Sequence, residues 1–122
     1  MMTWLLVFLG GGLGSLCRFF LSSRFNYNGQ EYLFFPYGTF AANILSCFIL
    51  GILIHKLMHG HLHENYRLLL VTGFCGGFST FSTFGYELYL YLQKGQLFIG
   101  LVYTMLSIVI GLVVMIAGMK IA

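Results

Sequence analysis

Long uncharged runs, rather than short alternating segments, organise this chain. Met1 to Cys17, Tyr32 to His55, Leu68 to Tyr86 and Gly95 to Met119 contain no Asp, Glu, Lys or Arg. Each approaches the roughly 20 residues that an α-helix needs to cross a bilayer. A barrel strand would alternate apolar and polar positions, whereas these runs are continuously apolar. The pattern predicts an all-α membrane protein, a single transmembrane domain over residues 1–122 with helices at about 2–21, 32–56, 67–93 and 95–120. The first run has no basic residue ahead of Trp4 and no small-residue cleavage pattern, so it is read as a span rather than a leader.

The third run departs from an ordinary membrane helix. Gly76 and Gly77 are adjacent, and Ser79, Thr80, Ser82 and Thr83 crowd hydroxyls close to its midpoint. Both features weaken a helix where lipid would enforce one, so a break is expected near Gly76 to Thr80. Broken helices at mid-membrane are where ion sites form. Phe78, Phe81 and Phe84 recur every three residues. The rim of an aromatic ring carries positive potential and can face an anion without a fixed charge, while simple packing is the alternative reading.

Composition sharpens the picture. Charged residues are 7% and hydrophobic residues 59% of 122, with one proline, which excludes a soluble monomer, a disordered chain and a polar nucleic-acid binder. With four spans, Lys56, Arg67 and Lys120 fall on one side and Arg18, Arg24 and Lys94 on the other. That balance prefers no orientation. It is the balance of dual topology, in which copies inserted both ways pair as an antiparallel homodimer, and equally of a small chain with few charges.

Several polar residues sit where they are costly. Asn43, mid-way in the second span, is read either as an interhelical bonding partner or as a pore-lining donor. Tyr103 and Ser107 are spaced i, i+4 and share a helical face. Glu87 is the only acid away from a loop, and an intramembrane acid is a functional candidate unless it lies near the membrane surface. Arg18 is expected to snorkel to the headgroups, or else to hold a loop or draw anions toward a vestibule. Gly10, Gly11, Gly12 and Gly14 lie inside a span without a phosphate-binding lysine, and so fit close helix packing. Cys17, Cys47 and Cys75 have no paired spacing and are read as small packing residues. His55, His59, His61 and His63 cluster in the middle loop and are read as a solvated interfacial group, with metal binding as the alternative and no nucleophile or base partner that would suggest an enzyme.

Together these motifs resemble those of the fluoride channel family, small dual-topology membrane proteins that export fluoride from microbes. Gly11, Gly12, Gly14 and Arg18 are similar to its first-helix motif, and Gly38, Thr39 and Asn43 to its second. Gly73 to Phe84 resembles its third-helix hallmark, and Tyr103 with Ser107 its fourth-helix polar pair. The resemblance spans the chain. It implies an antiparallel homodimer in the cell membrane, with two fluoride pores and a structural sodium ion on the dimer axis. It implies that Phe81, Phe84, Asn43, Tyr103 and Ser107 line the pores, with Thr80, Ser82 and Thr83 beside them, Arg18 at a vestibule, and the carbonyls of Gly76 and Ser79 on sodium. Ser79 stands where the family usually has Thr, Ser15 where Ala is common, and Ser46 with Cys47 where Gly with Ser is common. A carbonyl ligand is indifferent to the first change; the others bear on packing of the first two helices.

Two rival readings remain at this level. A small proton-coupled multidrug-type exporter has similar length and topology, but it should carry an acid in its first helix, and Met1 to Cys17 has none. In a non-conducting accessory subunit the glycines and aromatics only pack.

Overall fold

The computed structural model describes residues 1–29, 31, 32 and 34–122. Helix α1 is Met2–Phe25, α2 is Tyr37–Met58, α3 covers 64–78, α4 is Ser82–Gln93 and α5 is Leu97–Ile121. Between α1 and α2 a short antiparallel pairing joins β1 (Tyr27–Asn28) to β2 (Glu31–Tyr32), with Tyr27 opposite Tyr32. Four helices are long and apolar enough to cross a membrane, the third being Glu64–Gln93, which is α3 and α4 taken together.

Local chemistry sets the ends. The second helix starts at Tyr37, later than the apolar run at Tyr32, because the chain first doubles back through the β pairing and Pro36 then stands directly ahead of the first turn. Gly60 and Gly95, at φ 71° and 69°, turn the chain out of α2 and α4 in the left-handed conformation glycine adopts freely. After Gly60 the His61 amide returns to the Lys56 carbonyl, and after Gly95 the Gln96 amide returns to that of Tyr91, each at 2.8 Å. The carbonyls that a helix end leaves open are thereby satisfied.

The interrupted span is the irregular one. Residues Arg67–Cys75 form a π-helix, a wider coil that the sequence does not announce, and Gly76–Phe78 close it with one α turn. Ser79 is extended, at φ −79° and ψ 156°, and helical geometry resumes at Ser82. The break therefore lies at 79–81, at the C-terminal edge of the expected interval.

Helix packing runs through small residues, as the glycine strip suggested. A methyl group on Gly10 would collide with the Leu69 carbonyl, one on Gly14 with the Phe74 carbonyl, and one on Gly77 with that of Gly11. The backbones of α1 and α3 thus touch, the arrangement that supplies dispersion contact where lipid gives no hydrophobic drive. Gly51 meets the Met115 carbonyl in the same way between α2 and α5. Even so, only 11–33% of each span is buried within the chain. The remaining apolar surface faces lipid or another protein.

Candidate functional site at the helix break

The break rewires the backbone around it. In an unbroken helix the Thr80 amide would return to the Gly76 carbonyl and the Thr83 amide to that of Ser79. Here Thr80 N–H donates to Asn43 Oδ1 at 2.8 Å, and Thr83 N–H donates to the Thr80 hydroxyl at 3.3 Å. The Asn43 amide also donates to the Thr80 carbonyl at 3.4 Å, so one side chain from α2 grips the break from both sides. The Gly77 carbonyl is met by Arg18 Nε at 3.2 Å. The Cys75 carbonyl accepts from the Ser79 amide at 3.1 Å and from the hydroxyls of Ser79 and Ser46 at 3.0 and 3.2 Å. Two of the broken turn's carbonyls are served by side chains and neighbouring amides, while Gly76 and Ser79 have lost their usual donors.

Beside the break lies an open groove of about 520 Å³, lined by Asn43, Ser79, Thr80, Phe81, Phe84 and Ser107 with apolar neighbours. No charged side chain lines it among the described residues. Phe81 is 83% exposed, its ring 6.1 Å from that of Phe84. The Ser107 hydroxyl is buried and has no hydrogen-bond partner among the described residues. An unpaired donor in an apolar enclosure is costly, and it marks a place that a polar guest would relieve.

Behind this groove sits a second polar cluster. Tyr103 is fully buried, its ring tilted 53° to that of Phe84 at a centroid distance of 5.0 Å, and its hydroxyl donates to Glu87 Oε1 at 2.7 Å. The Thr39 hydroxyl donates to Glu87 Oε2 at 2.5 Å while accepting from the Asn26 amide at 2.8 Å. Asn26 Oδ1 in turn accepts from the Thr39 backbone at 3.1 Å. Glu87, 2% exposed, is held within the bundle by the hydroxyls of Thr39 and Tyr103. A smaller cavity of about 200 Å³, lined by Pro36, Glu87, Tyr91 and Lys94, reaches this cluster from the turn between α4 and α5.

The sequence-derived candidates thus fall into three groups. Asn43, Thr80, Phe81, Phe84 and Ser107 share the groove, with the carbonyl-bearing Ser79, and Asn43 bonds across helices while lining it. Tyr103 stands behind Phe84, and Ser82 and Thr83 are not among the groove's lining. Arg18, half-buried, donates through Nε to the Gly77 carbonyl, which ties the end of α1 to the turn ahead of the break. Asn26 was missed altogether. Its only sequence signal is an amide placed just past the end of an apolar run. The cysteines pack as expected in part, Cys75 buried and Cys17 exposed.

A family profile described as "CrcB-like protein, Camphor Resistance (CrcB)" matches residues 5–119. The chain is 45% identical over 96 residues to a protein of Pectobacterium carotovorum subsp. carotovorum (strain PC1), covering 78% of this chain and 73% of the other. It is 39% identical over 118 residues to one of Phocaeicola vulgatus, covering 97% and 96%, and 36% identical over 121 residues to one of Pyrococcus abyssi, covering 98% and 95%. All three relatives are named "Fluoride-specific ion channel FluC", a class that conducts rather than catalyses. With matches that run through all four spans and the broken third helix, this chain belongs to the CrcB family of multi-pass membrane proteins.

Proposed function

We propose that this chain is the subunit of a fluoride channel in the cell membrane, two copies of opposite orientation enclosing two passive pores. The observation that carries the reading is the groove: the unpaired Ser107 hydroxyl, the Asn43 amide and the rings of Phe81 and Phe84 face one uncharged space beside a helix break. Ring edges and neutral donors stabilise a partly dehydrated anion without trapping it, which suits conduction better than tight binding. The groove is open on one side, and Phe81 stands exposed there, so a second copy is needed to close it. The relatives' name supplies the ion. A proton-coupled exporter is not favoured, since Glu87 is engaged by Thr39 and Tyr103 within a buried cluster.

A structural sodium ion belongs to the same proposal. Its support is the rewired break, which takes the Thr80 and Thr83 amides away from the carbonyls of Gly76 and Ser79. Two such carbonyls from each of two chains related by a two-fold axis supply four oxygens to one cation, whose charge also favours an anion nearby. Ser79→Ala keeps that carbonyl and should keep the ion.

Reconstitution in liposomes tests the reading. Fluoride should leave rapidly and chloride should not, and an imposed sodium gradient should not drive fluoride uphill. Uphill movement would make the protein a coupled transporter. Adding two or three lysines near one terminus should fix the insertion direction and abolish flux until an oppositely fixed copy is co-expressed. Normal flux from one fixed form alone would rule out the antiparallel dimer.

A further inference from the structure

Four histidines in the connection after α2 take no part in the groove. His55 lies in the last turn of α2, His59 at its cap, and His61 and His63 beyond it. Spacing i, i+4 sets His55 and His59 on one face. Their ring centroids are 4.2 Å apart and their planes differ by 32°.

Two hydrogen bonds give the histidines opposite chemistry. His59 Nδ1 lies 2.9 Å from the His55 carbonyl oxygen. A carbonyl only accepts, so this Nδ1 carries the proton, which leaves Nε2 as the nitrogen that can ligate. At His63 the relation is reversed: its Nδ1 accepts from the Asn65 amide at 3.2 Å, capping the start of α3, so that lone pair is already used. The His61 ring stands 6.4 Å from that of His59, outside the pair.

A backbone carbonyl on the remote ring nitrogen is how metal-ligating imidazoles are oriented and made more basic. The pair also sits at the carbonyl end of α2, where the helix dipole favours a cation. Lys56 opposes this from the adjacent position, and the Glu64 carboxylate is committed to Arg67 at 2.6 and 2.9 Å. Imidazole donors suit zinc, copper or nickel rather than calcium or magnesium. Among the described residues no three His, Cys, Asp or Glu side chains gather into one site, so water completes the shell and the metal stays exchangeable.

We propose that His55 and His59 form a two-imidazole site for a divalent transition metal at the C-terminal end of α2, fastening its last turn. Titration calorimetry with Zn²⁺ on the tag-free protein in detergent tests this, using the wild type and the variants His55→Gln, His59→Gln and His63→Gln. Saturable uptake of a single ion per chain is expected, weakened about 10-fold or more in the first two variants and unchanged in the third. No saturable uptake by the wild type, wild-type affinity in His59→Gln, or equal losses in His63→Gln and His59→Gln would overturn the site. Electron paramagnetic resonance of Cu²⁺ on the unmodified protein reads the ligands without any variant. Coupling to two nitrogens is expected, and coupling to one or none would overturn the proposal.

Discussion

Two polar clusters meet at the contact between Phe84 and Tyr103, and they solve the same problem in opposite ways. On the Tyr103 side, Asn26, Thr39, Glu87 and Tyr103 bond to one another in a buried chain of donors and acceptors. On the Phe84 side, the Ser107 hydroxyl has no partner among the described residues and the Phe81 ring is exposed. Away from water, a polar group either finds its partner within the fold or marks where something else must supply one. The closed cluster reads as architecture, and the open one is the route proposed for fluoride.

The strongest way to break this contrast is at the centre of the closed cluster. Thr39→Val removes a donor from Glu87 and an acceptor from Asn26 together, and should destabilise the fold by about 2–4 kcal/mol. Thr39→Ser keeps the hydroxyl and should recover most of that in a thermal melt in detergent. Equal melting of the two variants would show that the cluster is not what holds α2 to α4.

Asn43→Leu strikes the groove and the break at once. It removes both bonds to Thr80 and should cost about 1–2 kcal/mol, with flux lost as well. Next, the two rings should separate. Phe84→Ile should lower flux steeply and cost about 1 kcal/mol through the lost contact with Tyr103, whereas Phe81→Ile, starting from an exposed ring, should lower flux with no change in melting. Near-normal flux in both would return the rings to packing.

The smallest effect on stability belongs to Ser107→Ala. Its hydroxyl bonds to nothing among the described residues, so melting should hold or rise slightly while fluoride flux falls. A clear drop in melting would mean that the hydroxyl already has a structural partner.

Four spans, a lipid environment, the interruption of the third span and close packing through the glycines of the first were legible in the residue pattern alone. Each is a local property: a run of apolar residues, a crowd of glycines and hydroxyls, small residues one turn apart. Family resemblance added the candidate pore residues. Which helix the glycines of α1 pack against, and which polar groups answer one another, follow from the folded chain. Arg18 reaches Gly77 across 59 positions, Thr39 reaches Glu87 across 48, and Asn43 reaches Thr80 across 37. The π-helix at Arg67–Cys75 is equally silent in the sequence. In hydrocarbon any unpaired polar group is expensive, so the chain announces that such residues need partners, but which partner comes within reach depends on how closely the glycine seams let the helices approach.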